Sequence, residues 1–261
     1  MINLLNAEKI KKQLNSDITV FTFETVDSTN LIAKKSATEY KTDSLFIAEH
    51  QTSGRGRMGR TFYSPDKSGI YMSLLLRPNF SFEDYTLITT AAAVSVAKAI
   101  DTYSEEPTKI KWVNDIFLRG KKVCGILTEG VFESENAYTV LGIGVNLFEP
   151  TSGFPNDISQ TAGGVFEKEC EEEIKINLIV EIINNFYNYY SSLPNKTFLN
   201  EYKSKNMLFG KEITFIKNGE TFYGVAQDIA ENLELKVIDK NGNLHLLSSG
   251  EVTIGSKNLS E

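Results

Sequence analysis

Runs of apolar residues with clear periods divide the chain into elements from residue 18 onward. Residues 18–23 (ITVFTF) are β-branched and aromatic and predict a strand. Asp27 and Ser28 then offer side-chain oxygens to cap a helix reaching about residue 39. Residues 45–49 form a second strand that runs directly into the loop QTSGRGRMGR, and residues 70–76 form a third, closed by Arg77-Pro78. The stretch LITTAAAVSVAKAI within residues 85–100 predicts a helix buried on a sheet. Short strands follow at 109–112, 123–129 and 138–145. Ile174, Leu178, Ile182 and Phe186 recur at helical spacing within 171–190, and acidic residues at its start suit the helix dipole. A last helix over 198–208 is stopped at Gly210.

After Gly210 the texture changes to ITFIK, TFYGVAQDI, ENLELKVI and LHLL, separated by glycine and asparagine turns. About fifty residues of this kind suggest a small SH3-like β-barrel. The pattern therefore predicts an α+β domain over residues 1–208, a mixed sheet with packing helices, followed by a barrel over 209–261.

Composition narrows the function classes. With 41% hydrophobic and 23% charged residues the chain is globular in type. No apolar run reaches a membrane-spanning length, and charges interrupt the amino-terminal stretch, so the expected location is cytoplasmic. The net charge of −7 argues against a chain that lives on phosphate backbones. Cys124 and Cys170 have no paired spacing, which speaks against zinc or a disulfide framework, and Cys124 in VCGIL reads as a buried thiol. Two histidines, His50 and His245, nearly exclude chemistry that needs a histidine cluster.

Two segments carry candidate chemistry. In Gly54-Arg55-Gly56-Arg57-Met58-Gly59-Arg60, glycines permit close backbone approach and guanidiniums offer bidentate geometry to phosphate or carboxylate. The ending required of a P-loop is missing. A flexible basic surface loop is the plainer alternative, although its launch from a strand in an acidic protein favours anion capture. In Lys111-Trp112-Val113-Asn114-Asp115, strand alternation would put Lys111 and Val113 on one face and Trp112 and Asn114 on the other. Asn-Asp alone also reads as an ordinary turn. Lys122 opens an apolar strand, where it can snorkel or offer its ammonium to a pocket. Ser28-Thr29-Asn30 is a helix start that would equally suit a polar ligand head, and Gly142-Ile143-Gly144-Val145-Asn146 suits the approach of a flat ring.

In this order the segments resemble the biotin–protein ligases, or biotin–[acetyl-CoA-carboxylase] ligases. The matching strings are DSTN at 27–30, AEHQTSGRGRMGR at 48–60, SLLLRP at 73–78, KWVND at 111–115, KVCGILTE at 122–129, GIGVN at 142–146 and SGEV at 249–252. The resemblance implies ATP-dependent activation of biotin to biotinyl-5'-AMP and transfer to a lysine of a biotin carboxyl carrier protein, with Mg²⁺ accompanying ATP. By position, it places Ser28, Thr29 and Asn30 in the biotin pocket and Gln51 at the ureido or adenylate region. Arg55, Gly56 and Arg57 would form the loop over the adenylate, and Lys122 would hold the biotin carboxylate. Lys111, Asn114 and Asp115 would serve ATP and magnesium, and Asn146 would sit near the adenine. Two positions depart from the family: Val113 stands where proline is usual, and Phe62 where a tryptophan is common.

Many members of that family begin with a DNA-binding helix-turn-helix domain. Residues 1–26 are too few for one, so the expectation is the form without it and without sequence-specific DNA binding. The nearest rival is a lipoate– or octanoate–protein ligase of the same fold. The carrier's identity and the oligomeric state, a homodimer included, stay open.

Overall fold

The computed structural model describes residues 5–78, 85–131, 137–217, 219–248 and 252–254. Ser249, Gly250 and Glu251 of the SGEV string lie outside the described residues, as do residues 1–4 of the amino-terminal stretch. No helix among the described residues is long and apolar enough to cross a membrane.

Seven strands form one mixed sheet: β1 (Thr19–Val26), β2 (Ser44–Gln51), β3 (Gly69–Leu76), β4 (Lys109–Lys111), β5 (Asp115–Leu118), β6 (Lys121–Val131) and β7 (Tyr138–Asn146). Their spatial order is β1-β2-β3-β7-β6-β5-β4, with β1 and β2 parallel and the other neighbours antiparallel. Both faces of the central strands are covered, so β3 is buried at every position and reads as a continuous apolar run. Leu45, Ile47, Met72 and Leu74 belong to the larger core with α3 (Tyr85–Asp101) and α4 (Glu172–Tyr190). Phe46 and Leu75, one position out of phase, pack instead with Ala33 of α2 (Thr29–Ser36). The alanines of α3 at 91–93 and 97 are fully buried, and such small side chains let the helix lie close to its neighbours. A short α1 (Ala7–Gln13) packs on β1 and α4.

Two expected elements change in ways that matter for the site. The strand predicted over 109–112 ends at Lys111, a turn takes residues 112–114, and the unforeseen β5 returns with Lys111 opposite Asp115. The expected two-faced alternation over 111–114 therefore fails, because these residues form the tip of a hairpin. The helix predicted over 198–208 is only α5 (Leu199–Ser204). Beyond it the backbone pairs with β4: the Ile110 N–H donates to the Lys205 carbonyl and the Met207 N–H to the Ile110 carbonyl, which removes those groups from helical bonding.

The carboxy-terminal strands are β8 (Glu212–Lys217), β9 (Glu220–Ile229), β10 (Leu235–Asp239), β11 (Leu244–Leu247) and β12 (Val252–Ile254). They form an antiparallel sheet in the order β11-β10-β9-β8-β12. Among the described residues β11 and β12 are the open edges, so the pairing is that of a sheet and not of the closed barrel expected from the turns. Its apolar side (Ile213, Phe215, Leu235, Val237) is continuous with Trp112, Tyr202 and Leu208 of the preceding part.

Cys124 is buried on β6, as its apolar setting predicted, and burial pushes its thiol well above the usual range.

Candidate active site

A cavity of about 1000 Å³, its open mouth included, is walled by the start of α2, the loop after β2, the β4–β5 hairpin, β6 and β7. Ser28, Thr29, Asn30, Gln51, Arg55, Gly56, Arg57, Lys111, Asn114, Asp115 and Lys122 all line it. Asn146 does not line it. It ends β7 opposite Gly69, with its carbonyl accepting from the Val165 N–H. The sequence also left unassigned several walls that the fold brings in, among them Met72, Trp112, Leu127 and Val252.

The floor is made flat by glycine. Gly125 and Gly144 are cross-strand partners on β6 and β7, and the ring of Phe62 lies over both. A methyl group at Gly144 would meet that ring at 2.5 Å, and one at Gly125 would meet it at 3.1 Å. The flat ring that GIGVN suited is thus, in this structure, the protein's own aromatic. At Gly142 an added carbon would fall 2.1 Å from Asn30 Oδ1, so the start of α2 also depends on a bare backbone there.

Residues 28–30 are buried and form the helix start expected of them, but without the side-chain cap. Ser28 occupies the N-cap of α2 without a side-chain cap bond, and its own N–H donates to Asp27 Oδ1 at 2.8 Å. Thr29 N–H donates to Gln51 Oε1 at 2.9 Å, Gln51 Nε2 donates to Ser64 Oγ at 2.9 Å, and Ser64 donates to the Phe62 carbonyl. Gln51 is thereby a strut between α2 and the glycine–arginine loop, its amide already employed. Gly54 is required beside it, since a methyl group there would stand 2.3 Å from the Phe62 carbonyl oxygen.

Charged groups mark the two ends of β6. Lys122 Nζ stands 2.7 Å from Asp115 Oδ1 and forms an ion pair with it. Nearby, Arg57 donates to Asn114 Oδ1 at 2.8 Å, while Asn114 is fastened to β6 by Nδ2 donating to the Ile126 carbonyl. At the other end Glu129 accepts from Asn30 Nδ2 at 2.8 Å and from Lys34 Nζ at 2.6 Å, with Arg55 at 3.7 Å. Burial pulls the Glu129 carboxyl upward, but the Asn30 and Lys34 hydrogen bonds and the Lys34 and Arg55 charges outweigh it and leave it below the ordinary value. Glu129 belongs to a quoted string, yet sequence reading gave it no role. Its distance of 99 positions from Asn30 hid the contact.

The hairpin tip is held from behind. Trp112 Nε1 donates to the Leu233 carbonyl at 3.0 Å, and the buried Tyr202 hydroxyl donates to the Val113 carbonyl at 3.1 Å. A rigid tip fixes Lys111, Asn114 and Asp115 against the cavity. Cations on three segments converge on the cavity, an arrangement suited to an anionic ligand. Among the described residues no three His, Cys, Asp or Glu gather as a metal site.

Residues 22–146 match the model of the biotin/lipoate A/B protein ligase family. Over 215 residues the chain is 31% identical to the "Bifunctional ligase/repressor BirA" of Bacillus subtilis, covering 81% of this chain and 66% of that protein. The chain belongs to the biotin/lipoate A/B protein ligase family. Within it, a biotin protein ligase of Aquifex aeolicus, solved in complex with biotin and ATP, superposes with a TM-score of 0.73 at 25% identity, over 90% of this chain and 98% of that one. The "Biotin--[acetyl-CoA-carboxylase] ligase" of Mycobacterium tuberculosis is 27% identical over 80% of this chain and 77% of that protein. This family member thus spans 66% of the length of the Bacillus relative and 46% of the Escherichia coli one.

Proposed function

We propose that the chain is a biotin–protein ligase, activating biotin with ATP as biotinyl-5'-AMP and passing the biotinyl group to a lysine of a biotin carboxyl carrier protein. The observation that carries this reading is the convergence of Arg55, Arg57, Lys111 and Lys122 on one glycine-floored cavity in a chain similar to ligases that bear that name. The relatives named above favour biotin over lipoate.

Joining a carboxylate to an amine in water requires a better leaving group than hydroxide. A biotin carboxylate oxygen attacks the α-phosphorus of ATP, an O–P bond forms, and the bond to the β-phosphate oxygen breaks to release pyrophosphate. Two anions must meet, so the cavity's cations are placed to hold them together. In this reading Lys122 takes the biotin carboxylate, exchanging Asp115 for it, and Ser28, Thr29 and Asn30 line the biotin head. Gln51 braces that wall, Arg55, Gly56 and Arg57 cover the adenylate, and Lys111, Asn114 and Asp115 face the ATP phosphates. Asn146, outside the cavity, is left out of the set. The carrier's amine then attacks the acyl carbon, a C–N bond forms, AMP leaves, and the amine gives up a proton. In this route no protein nucleophile is needed.

The residues present fit magnesium only as it travels with a nucleotide. Asp115, with a buried Oδ1 met by a displaceable ammonium, is the carboxylate available to it, and phosphates and water would complete the shell. When bound, the ion neutralises phosphate charge.

The finer readings of the fold and setting belong here too. Residues 209–261 are read as a small SH3-like domain, of which 218, 249–251 and 255–261 lie outside the described residues. The support is β9, whose first half pairs with β8 and second half with β10, about Gly224, as in a strand rolling into a small barrel. The protein works in the cytoplasm and is compatible with a homodimer. The test of the function is intact-mass analysis of a biotin carboxyl carrier domain incubated with the protein, biotin, ATP and Mg²⁺. One biotinyl addition is expected, and lipoyl addition in preference to it, or no addition, overturns the reading.

A further inference from the structure

Glu129 stands at the opposite end of β6 from Lys122, outside the set of residues given a role above. A carboxylate can only accept hydrogen bonds, so it dictates the orientation of the Asn30 amide: Nδ2 faces Glu129, and Oδ1 faces the buried Ser73 hydroxyl 2.6 Å away. Ser73 has a single proton, which Oδ1 requires. Ser73 Oγ also faces Thr29 Oγ1 at 2.7 Å, and the Thr29 hydroxyl donates to Gln51 Oε1 at 3.2 Å. From Thr29 the bonds continue through the backbone N–H to Gln51, through Gln51 to Ser64, and from Ser64 to the Phe62 carbonyl.

Phe62 and Arg55 lie at the two ends of the glycine–arginine loop, where the Phe62 N–H also donates to the Gly54 carbonyl. Arg55 returns to Glu129 at 3.7 Å. The contacts thus close a ring: loop, Glu129, Asn30, Ser73, Thr29, Gln51, Ser64, loop. Around that ring Glu129 is the side chain without a proton to give, and it sets the direction of the Asn30 amide and, through Asn30 Oδ1, of the Ser73 hydroxyl, while the Thr29 backbone N–H and the Phe62 carbonyl set those of Gln51 and Ser64. Lys34 Nζ, at 2.6 Å, balances its charge without entering the cavity wall.

We propose that Glu129 is a positioning residue for ligand binding, whose charge orients the Asn30 amide and, through it, the Ser73 hydroxyl at the head of the cavity and holds the Arg55 end of the loop. The placement of biotin at that head rests on the function proposed above. The ring itself is present without ligand and can be tested without one.

The experiment compares wild type with Glu129→Gln and Glu129→Asp in the full chain. The ligand-free arm follows limited trypsin cleavage after the loop arginines. The ligand arm separates KM for biotin, KM for ATP and kcat with a carrier domain, with Tm measured for each variant. Glu129→Gln is expected to fold, to be cut in the loop about tenfold faster, and to raise KM for biotin about tenfold, the lower end of what losing a charge-assisted hydrogen bond does. Its kcat and KM for ATP should stay within about twofold of wild type, the pattern of a lost ground-state contact. Glu129→Asp should recover part of the biotin KM. Loop cleavage and biotin KM both unchanged in Glu129→Gln would overturn the proposal. So would a lowered Tm with all substrates weakened alike, which is the signature of a purely structural ion pair. If wild type biotinylates nothing, the proposed function fails, while the cleavage arm still decides the positioning role: a faster cut supports it and an unchanged one overturns it.

Discussion

The indole N–H of Trp112 donates to the carbonyl of Leu233, 121 positions further along the chain and 3.0 Å away. Through this bond the carboxy-terminal sheet grips the hairpin tip that carries Asn114 and is flanked by Lys111 and Asp115. Trp112→Phe keeps an aromatic core residue but leaves a buried carbonyl unsatisfied. It should destabilise the chain by about 2 kcal/mol and raise KM for ATP more than KM for biotin, as read by thermal unfolding and steady-state kinetics. Equal effects on both substrates would show that the tip does not belong to the nucleotide side.

Lys122→Met removes the cation that faces Asp115. Biotin affinity should fall by about tenfold or more, as expected for a lost charge-assisted contact at a partly exposed site, and adenylate yield should fall with it. Calorimetry with biotin and chromatographic detection of biotinyl-5'-AMP check this. Asp115→Asn is the companion variant: it should spare biotin affinity and weaken dependence on Mg²⁺-ATP.

Arg57→Gly breaks the bond from the loop to Asn114 and adds a fourth glycine to a segment already rich in them. The adenylate should then escape before transfer. Streptavidin blotting of a mixture that includes an unrelated protein should reveal biotin on bystander lysines. Labelling confined to the carrier would contradict a covering role for the loop.

Gly144→Ala places a methyl group within 2.5 Å of the Phe62 ring. The ring must leave the floor, and the expected loss is about 1–3 kcal/mol of stability, the range for overpacking, with a raised KM for biotin. The double variant Gly144→Ala, Phe62→Leu should recover part of the stability if the clash is the cause.

Glu129 also gives a pH signature. Its folded carboxyl lies below the ordinary value of 4.5, so the unfolded chain binds the proton more readily. The stability it contributes is present above the unfolded pKa and is lost as pH falls through the folded one. The Tm difference between wild type and Glu129→Gln should therefore be constant near neutrality and shrink below about pH 4.5. A difference that persists unchanged at pH 3 would remove the charge from the explanation.

Much of the fold was readable because burial leaves a periodic trace. β3 as an unbroken apolar run, α3 as an alanine-rich helix and α4 with its four-residue spacing all carry their surroundings in their composition. The turn at 112–114 was legible in Asn-Asp, whereas the return strand β5 and the pairing of β4 with residues 205–207 were not, since they depend on which backbone groups pair. The site residues were recognisable as strings of glycine, arginine and amide side chains, and the fold brings all but Asn146 to one cavity. Glu129 escaped because its meaning depends on Asn30 and Arg55, which reach it only through the sheet. Ser28 stands at the N-cap, as its residue type suggests, but its side chain makes no capping bond.

Val252 supplies part of the cavity wall, whereas the other lining residues lie at or before Gly144. More than a hundred residues separate the two. At synthesis rates of about 5–20 residues per second, a growing chain would wait about 5–20 s between making the glycine floor and making that last side chain. A nascent chain can therefore lay down nearly the whole pocket while still on the ribosome, yet its final wall arrives only with β12.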